Sequence, residues 1–213
     1  MVSLFEVTYQ EIINKKSPTR LKDLIAVLIE SCDSYSPNWH ALGFVHCKLA
    51  SFPYGTLRLH IWPQQERHSQ EQQHKIHDHI FSLTSYVVSG SINNETYNVQ
   101  RARKNVASTQ SYDVDYIKGG AKISATDMYY NETRLSKSFM EEGEYYTVLS
   151  GVLHQSIVPK STFVVTIVAT YDHKDSTPRL LGPINGPENF IREKISYDKG
   201  KWIKLLRNVE NIL

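Results

Sequence analysis

Residues 56–62 read Thr-Leu-Arg-Leu-His-Ile-Trp, and this stretch decides the fold class. Every second residue is aliphatic, and the residues between are larger or polar. The aliphatic set is Leu57, Leu59 and Ile61, and the other set is Arg58, His60 and Trp62. Alternate residues of a β-strand point to opposite faces, so the stretch predicts a strand with two different faces.

Similar short strands are predicted along the middle of the chain, with glycine or proline between many of them. They cover residues 81–88, 91–99, 111–117, 122–130, 135–139, 145–149, 155–158 and 163–171. Many short strands at close spacing favour an antiparallel sandwich or barrel. We therefore expect a mainly β fold.

The two ends of the chain differ from this middle part. Leu21, Leu24 and Leu28 recur at helical spacing, and a second helix is predicted from about Lys201 to Ile212. Between them, the proline- and glycine-rich interval 178–187 is expected to lack regular structure. No linker divides the chain, so we expect one domain. It comprises a helical segment (1–40), a β-barrel (42–172), and a loop with a C-terminal helix (173–213).

Composition excludes several classes of function. Lys plus Arg total 24 and Asp plus Glu total 22, a balance that argues against a nucleic-acid or anionic membrane partner. Neither Cys32 nor Cys47 has a CxxC partner, which excludes zinc-ribbon and thioredoxin-type sites. Residues 1–10 do not resemble a signal peptide, and no apolar stretch is long enough to span a membrane. A cytoplasmic location is expected.

Two of the nine histidines stand out. His77 and His79 are two residues apart, and on a strand such residues project from the same face. Two imidazoles on one face form half of a metal site. By contrast, His40, His46 and His173 lie in polar or irregular contexts, which favours surface or locally hydrogen-bonded roles.

The sequence around this pair resembles the cupin superfamily. Ile76-His77-Asp78-His79, with Gly90 eleven residues further on, is similar to the first cupin signature. Residues 143–154, with the turn Leu149-Ser150-Gly151 before His154, are similar to the second. Leu83 stands where the signature has a metal-binding glutamate. The resemblance thus implies a cupin jelly-roll barrel with a three-histidine site formed by His77, His79 and His154.

Among cupins, a site without the glutamate resembles the cysteine dioxygenase-like thiol dioxygenases. The resemblance implies Fe(II), dioxygen, a wall formed by Trp62, and a catalytic role for Tyr171, seventeen residues beyond His154. Ala169 and Ile167 replace the hydrogen-bonding residues that precede this tyrosine in the family. Arg58 is a candidate for binding an anionic substrate and His60 for acid/base chemistry. Both roles require their strand face to line the interior, whereas the other interpretation makes Trp62 a core residue and Arg58 a surface charge.

Three functions stay open. The first is a mononuclear non-haem iron oxygenase that acts with dioxygen on a small polar substrate, such as a thiol or an amino acid derivative. The second is a cupin isomerase, lyase or hydrolase with Zn, Mn or Ni, and the third is a non-catalytic binding protein. A homodimer is one possible assembly. The interval 178–187 then covers either the pocket mouth or a partner subunit.

Overall fold

In the computed structural model, which describes residues 3–69 and 73–213, the chain forms three α-helices and thirteen β-strands. The helices are α1 (Leu4–Ile13), α2 (Leu21–Glu30) and α3 (Lys199–Ile212). The strands are β1 (Asn38–Trp39), β2 (Val45–Phe52), β3 (Gly55–Trp62), β4 (Ser82–Ser89), β5 (Ser91–Arg101), β6 (Thr109–Ile117), β7 (Gly120–Glu141), β8 (Tyr145–Val148), β9 (Leu153–Ile157), β10 (Val164–Tyr171), β11 (Arg179–Gly182), β12 (Asn189–Glu193) and β13 (Ile195–Ser196). Among the described residues, no helix has both the length and the apolar character that a membrane crossing requires.

The strands form two antiparallel sheets, which confirms the mainly β prediction. The first sheet has the order β13-β1-β2-β3-β10-β4-β8. The second has the order β11-β6-β7-β5-β9, with β12 paired to β7. In the first sheet His60 lies opposite His46 on one side and opposite Thr166 on the other, so the three side chains share one face.

The outer face of the first sheet is covered by the three helices. Leu57, Leu59 and Ile61 are fully buried there in one cluster with residues of α1, α2 and α3. Burying such a side chain contributes roughly 1.5–3 kcal/mol. This packing determines which face of β3 points inwards, because the other set of residues, Arg58, His60 and Trp62, must then face the second sheet.

The inner faces of the two sheets meet in a smaller apolar cluster. Trp62, Val87 and Val164 come from the first sheet, and Ile92 and Met140 come from the second. The sheets therefore pack directly at this end. Elsewhere between them lies the cavity that holds the candidate site.

The chain ends contain more strands than the sequence predicts. The interval 178–187 was expected to be irregular, but it contains β11, and β12 and β13 follow within the segment predicted as loop and helix. Pro178 and Pro183 lie immediately outside β11, where no ladder N–H is needed. Strand β1 likewise falls inside the segment 1–40 that was predicted to be helical.

The structure also joins two predicted strands into one. Strand β7 is 22 residues long and includes both 122–130 and 135–139. The polar residues between them, Asn-Glu-Thr-Arg at 131–134, continue the ladder, with Asn131 opposite Gln100 and Arg134 opposite Tyr97. One half of β7 pairs with β6 and the other with β5, so the strand ties the second sheet together.

Candidate metal centre

The segment 76–79 lies between the two edge strands of the second sheet. On one side His77 exchanges backbone hydrogen bonds with His154 of β9, with N···O distances of 3.0 and 2.9 Å. On the other side the Asp78 N–H donates to the carbonyl of Arg179 in β11 at 3.0 Å. The segment thereby links β9 to β11 and places His77 directly beside His154.

The imidazoles of His77, His79 and His154 converge. Their ring centroids are 4.4 Å apart for His77 and His154, 4.8 Å for His77 and His79, and 4.9 Å for His79 and His154. One ring nitrogen from each lies within 4.8 Å of the other two. The three side chains that the sequence predicts as ligands are brought together, and they could hold one metal ion.

Local carbonyls orient two of these rings. The Nδ1 of His77 lies 2.8 Å from the carbonyl of Lys75, and that of His154 lies 3.1 Å from the carbonyl of Val152. A carbonyl only accepts, so Nδ1 carries the proton and Nε2 keeps a lone pair, which is the form that binds a metal.

Burial keeps the three rings neutral. It lowers the pKa of His154 to about 3 and the pKa of His77 below its ordinary value. The pKa of His79 falls well below its ordinary value, first through burial and then through the neighbouring His77 and His154. Neutral imidazoles do not have to release a proton before they ligate.

No carboxylate of the described residues joins the three histidines. Leu83, at the position of the cupin glutamate, packs in an apolar cluster with Phe81 and Val148. Asp78 lies between the two ligand histidines in sequence but turns away to Arg179. Its carboxylate accepts from the Arg179 backbone N–H at 2.6 Å and from the guanidinium at 2.7 and 2.8 Å. The nearest acidic side chain in sequence is thus committed to a structural ion pair.

The three histidines open onto a cavity of about 710 Å³ between the sheets. Arg58, His60 and Trp62 all line it, so their strand face is the interior face. The Arg58 Nε donates to the Thr56 hydroxyl at 3.0 Å, and the guanidinium lies 4.9 Å from the centroid of the Phe81 ring. In the described part of the chain no acidic side chain pairs with Arg58. Its charge is therefore available to a ligand, although burial lowers its pKa.

An aromatic wall continues from the metal-binding group. The ring of Phe44 lies between those of His40 and Trp62, with centroid distances of 4.3 and 4.6 Å, and both pairs are stacked. The ring centroid of His60 lies 5.0 Å from that of Phe44 and 6.3 Å from that of His46. Burial is the main cause that lowers the pKa of His40, His46 and His60.

His40, His46 and His173 all line the cavity, whereas surface or locally hydrogen-bonded roles were expected for them. A signal for His46 was available. Val45, Cys47 and Leu49 alternate around it as the aliphatic residues alternate around His60, which predicts the same two-faced strand. His40 follows β1, and its place in the cavity depends on long-range packing.

Tyr171 does not join the other predicted site residues. Val168 and Thr170 of β10 line the cavity, so Tyr171 points to the opposite face. Its hydroxyl lies 3.5 Å from the Thr84 hydroxyl, on the side of the sheet that the helices cover. Tyr146 and Tyr116 are tyrosines that do line the cavity, and burial raises the pKa of Tyr146. Tyr146 lies opposite Ser85 in the pair formed by β4 and β8. The sequence alone does not reveal this register, so it could not identify Tyr146 as a cavity residue.

Comparison with known proteins adds no family to this description. No protein-family model matches the chain, and no curated protein matches its sequence. The interpretation of the site therefore depends on its own geometry. That geometry consists of three converging neutral imidazoles, an arginine without an acidic partner among the described residues, and an aromatic wall around one cavity.

Proposed function

We propose that this protein is a mononuclear non-haem iron oxygenase of the cupin class, with His77, His79 and His154 as the metal ligands. The observation that carries the proposal is the group of three converging imidazoles, joined by no described carboxylate and open to a cavity of about 710 Å³. Pockets of about 300–1,000 Å³ are typical of small-molecule sites. The cavity therefore suits substrates from amino acid size upwards.

The donor set fits iron. Imidazole is a suitable ligand for iron, zinc, copper and nickel, and two of the three rings have their Nδ1 fixed by a carbonyl, as ligand histidines usually do. When bound, a ferrous ion would supply the one-electron chemistry that dioxygen needs. Three neutral ligands leave the ion's charge uncompensated, which favours an anionic substrate.

Arg58 supports the same substrate class. The Arg58 guanidinium lies on the cavity wall, where it donates to the Thr56 hydroxyl and packs over the Phe81 ring, and its remaining N–H groups can bind an anion. We assign Arg58 to binding the carboxylate or another anionic group of the substrate. This would orient the substrate relative to the three histidines.

The other cavity residues have supporting roles in this proposal. His60 is neutral and lies on the same wall as Arg58, so it can accept or donate a proton at the substrate. Trp62 and Phe44 exclude water and provide an apolar surface. Tyr171 is not included, because it lies on the other face of β10, whereas Tyr116 and Tyr146 line the cavity.

The cupin assignment is supported by two features of the topology. The two antiparallel sheets pack face to face, and the backbone of His77 links the edge strands β9 and β11. The first feature is expected of a jelly roll, which consists of two packed sheets. The second joins the segment 76–79 to β9, so that the proposed ligands His77 and His154 are neighbours. Superposition of an experimental structure on cupins of known structure would test this assignment.

Metal analysis of protein purified without added metal, followed by oxygen-uptake assays with thiols and amino acid derivatives, tests the function. We expect about one iron per chain and oxygen uptake that requires both iron and substrate. A folded protein that binds no divalent metal would contradict the proposal.

The same donor set favours a second candidate. Three histidines also form the zinc site of some hydrolytic and hydrating enzymes, in which the ion acts as a Lewis acid. Tight zinc binding, with hydrolytic, lyase or isomerase activity and no oxygen uptake, would select that candidate. Manganese or nickel with the same reactivity would do so as well.

A further inference from the structure

His40 is held in a tight turn directly after β1. Its backbone N–H donates to the carbonyl of Phe44 at 2.7 Å, and the N–H of Gly43 donates to the carbonyl of His40 at 2.8 Å. Gly43 has a φ of 88°, a conformation that favours glycine. Within the turn, the backbone N–H of Leu42 donates to the Nδ1 of His40 at 3.2 Å. The turn thus fixes the ring as well as the backbone.

This last hydrogen bond determines the tautomer of His40. A backbone N–H can only donate, so Nδ1 must carry a lone pair, and an imidazolium has none on either nitrogen. The ring is therefore neutral with its proton on Nε2. His77 and His154 have the opposite arrangement, because their Nδ1 atoms face carbonyls and their Nε2 atoms keep the lone pairs.

His40 lines the same cavity as His77, His79 and His154. Its ring stacks on Phe44, with the two ring centroids 4.3 Å apart. In residues 3–69 and 73–213, no hydrogen bond takes up the Nε2 of His40. His40 does not belong to the group of described histidines whose ring nitrogens converge, so it stands as a neighbour of the proposed ligands and not as a fourth one.

We infer that His40 is a ligand-binding residue of this site, a neutral donor whose Nε2–H hydrogen-bonds an anionic ligand held at the three-histidine centre. The inference rests on the proposed metal site and adds a residue that the three-histidine pattern does not contain. Such a donor would stabilise negative charge on the ligand without bringing in a net charge of its own.

The tautomer can be observed directly. In ¹⁵N-labelled protein loaded with zinc, a long-range ¹H–¹⁵N spectrum distinguishes protonated from unprotonated ring nitrogens, and comparison with the His40→Asn variant assigns the signals. We expect His40 to be protonated at Nε2. Protonation at Nδ1, or an imidazolium at pH 7.5, would overturn the inference.

Azide serves as the anionic probe for binding. Protein loaded with cobalt(II) is titrated with azide and followed by the visible absorption of the ion. In His40→Asn the amide oxygen can still accept from Leu42, but no donor remains at the Nε2 position. We expect a cobalt content equal to that of the wild type and roughly ten- to hundredfold weaker azide binding, as the loss of a hydrogen bond to a charged group predicts.

Two further variants complete the test. His40→Gln places an amide donor near the Nε2 position, and we expect it to recover part of the azide affinity. His68→Asn makes the same chemical change at an exposed histidine outside the cavity and should bind azide as the wild type does. Unchanged azide affinity in cobalt-loaded His40→Asn would overturn only this inference. Failure of the wild type to bind cobalt would instead overturn the proposed metal site and the inference with it.

Discussion

His154 combines deep burial with a ring that has its ligating nitrogen unprotonated. It is 3% exposed, and the carbonyl of Val152 occupies its Nδ1. A buried histidine that the fold keeps neutral loses little when a metal replaces solvent at Nε2. The free energy of metal binding should therefore add directly to the stability of the folded chain.

Replacing this side chain tests that statement. We expect His154→Ala to lose stoichiometric metal while its far-UV circular dichroism stays that of the wild type. Metal at 100 times its Kd should stabilise the wild type by about 2.7 kcal/mol and the variant not at all. Metal analysis and thermal unfolding with and without metal measure both effects, and His68→Ala is the matched control. Unchanged metal content in His154→Ala would show that the three-histidine assignment is wrong.

Arg58 should contribute to ligand binding and little to the stability of the fold. Its guanidinium is desolvated without an acidic partner among the described residues, so the fold gains little from its charge. We expect Arg58→Met to leave the free energy of unfolding unchanged or raise it by about 1 kcal/mol. Urea unfolding measures this, and azide titration of the cobalt-loaded variant should show weaker anion binding. A loss of stability greater than about 2 kcal/mol would instead indicate a structural role for Arg58.

Individual strands could be predicted where the two faces of the sheet carry different kinds of side chain. Strand β3 follows from its alternation, because aliphatic residues pack on the helices and the others face the cavity. Strand β11 was not predictable, since its four residues lie between two prolines and its partners, β6 and the segment 76–79, are distant in sequence. Strand β7 appeared as two because the polar stretch 131–134 lies on an exposed ladder, where no apolar alternation is needed.

The ion pair between Asp78 and Arg179 supports the metal-binding segment 76–79. Asp78 is 5% exposed and accepts three hydrogen bonds from Arg179, so it fastens residues 76–79 to β11. We expect Asp78→Asn to lower the free energy of unfolding by about 2 kcal/mol or more, because it removes the charge from a buried pair. Metal affinity should fall too, since His77 and His79 flank this residue.

The exposed ion pair between Asp33 and Lys199 provides the control, since both side chains are more than half exposed. Asp33→Asn should change the free energy of unfolding by less than about 0.5 kcal/mol. Urea unfolding and metal titration of the two variants separate the expectations. Equal stability of Asp78→Asn and Asp33→Asn would mean that the Asp78 pair does not hold the segment.

At the scale of the whole molecule, the site combines two kinds of residue. Local sequence patterns identify some of them, and the pairing of distant strands brings the others into the cavity. The pair His77 and His79 was predictable from its two-residue spacing, and His154 from its motif. Tyr171 points away from the cavity because the helices cover its face of β10, and Tyr146 reaches the cavity through the pairing of β8 with β4. The cluster of His40, His46 and His60 likewise requires β1, β2 and β3 to be assembled. Seven histidines of the described residues thereby line one cavity.

This concentration predicts how the stability of the metal-free protein depends on pH. The pKa of His46 is lowered to about 4, mainly by burial and further by Arg58 and Lys194, from an ordinary value of 6.5. Because the folded-state pKa is the lower one, the unfolded chain binds the proton first as pH falls. The stabilising contribution is therefore complete above about pH 6.5 and is lost between pH 6.5 and 4.

His46→Gln isolates this contribution, because the other cavity histidines remain in both proteins. Each such proton gives a slope of up to about 1.4 kcal/mol per pH unit in the free energy of unfolding. We expect the variant to lose up to that much of the slope between pH 6.5 and 4 and to match the wild-type slope above pH 7. Urea unfolding of metal-free protein across this range measures both slopes. Parallel curves for the two proteins would mean that His46 is solvated in the folded state and does not belong to the buried cluster.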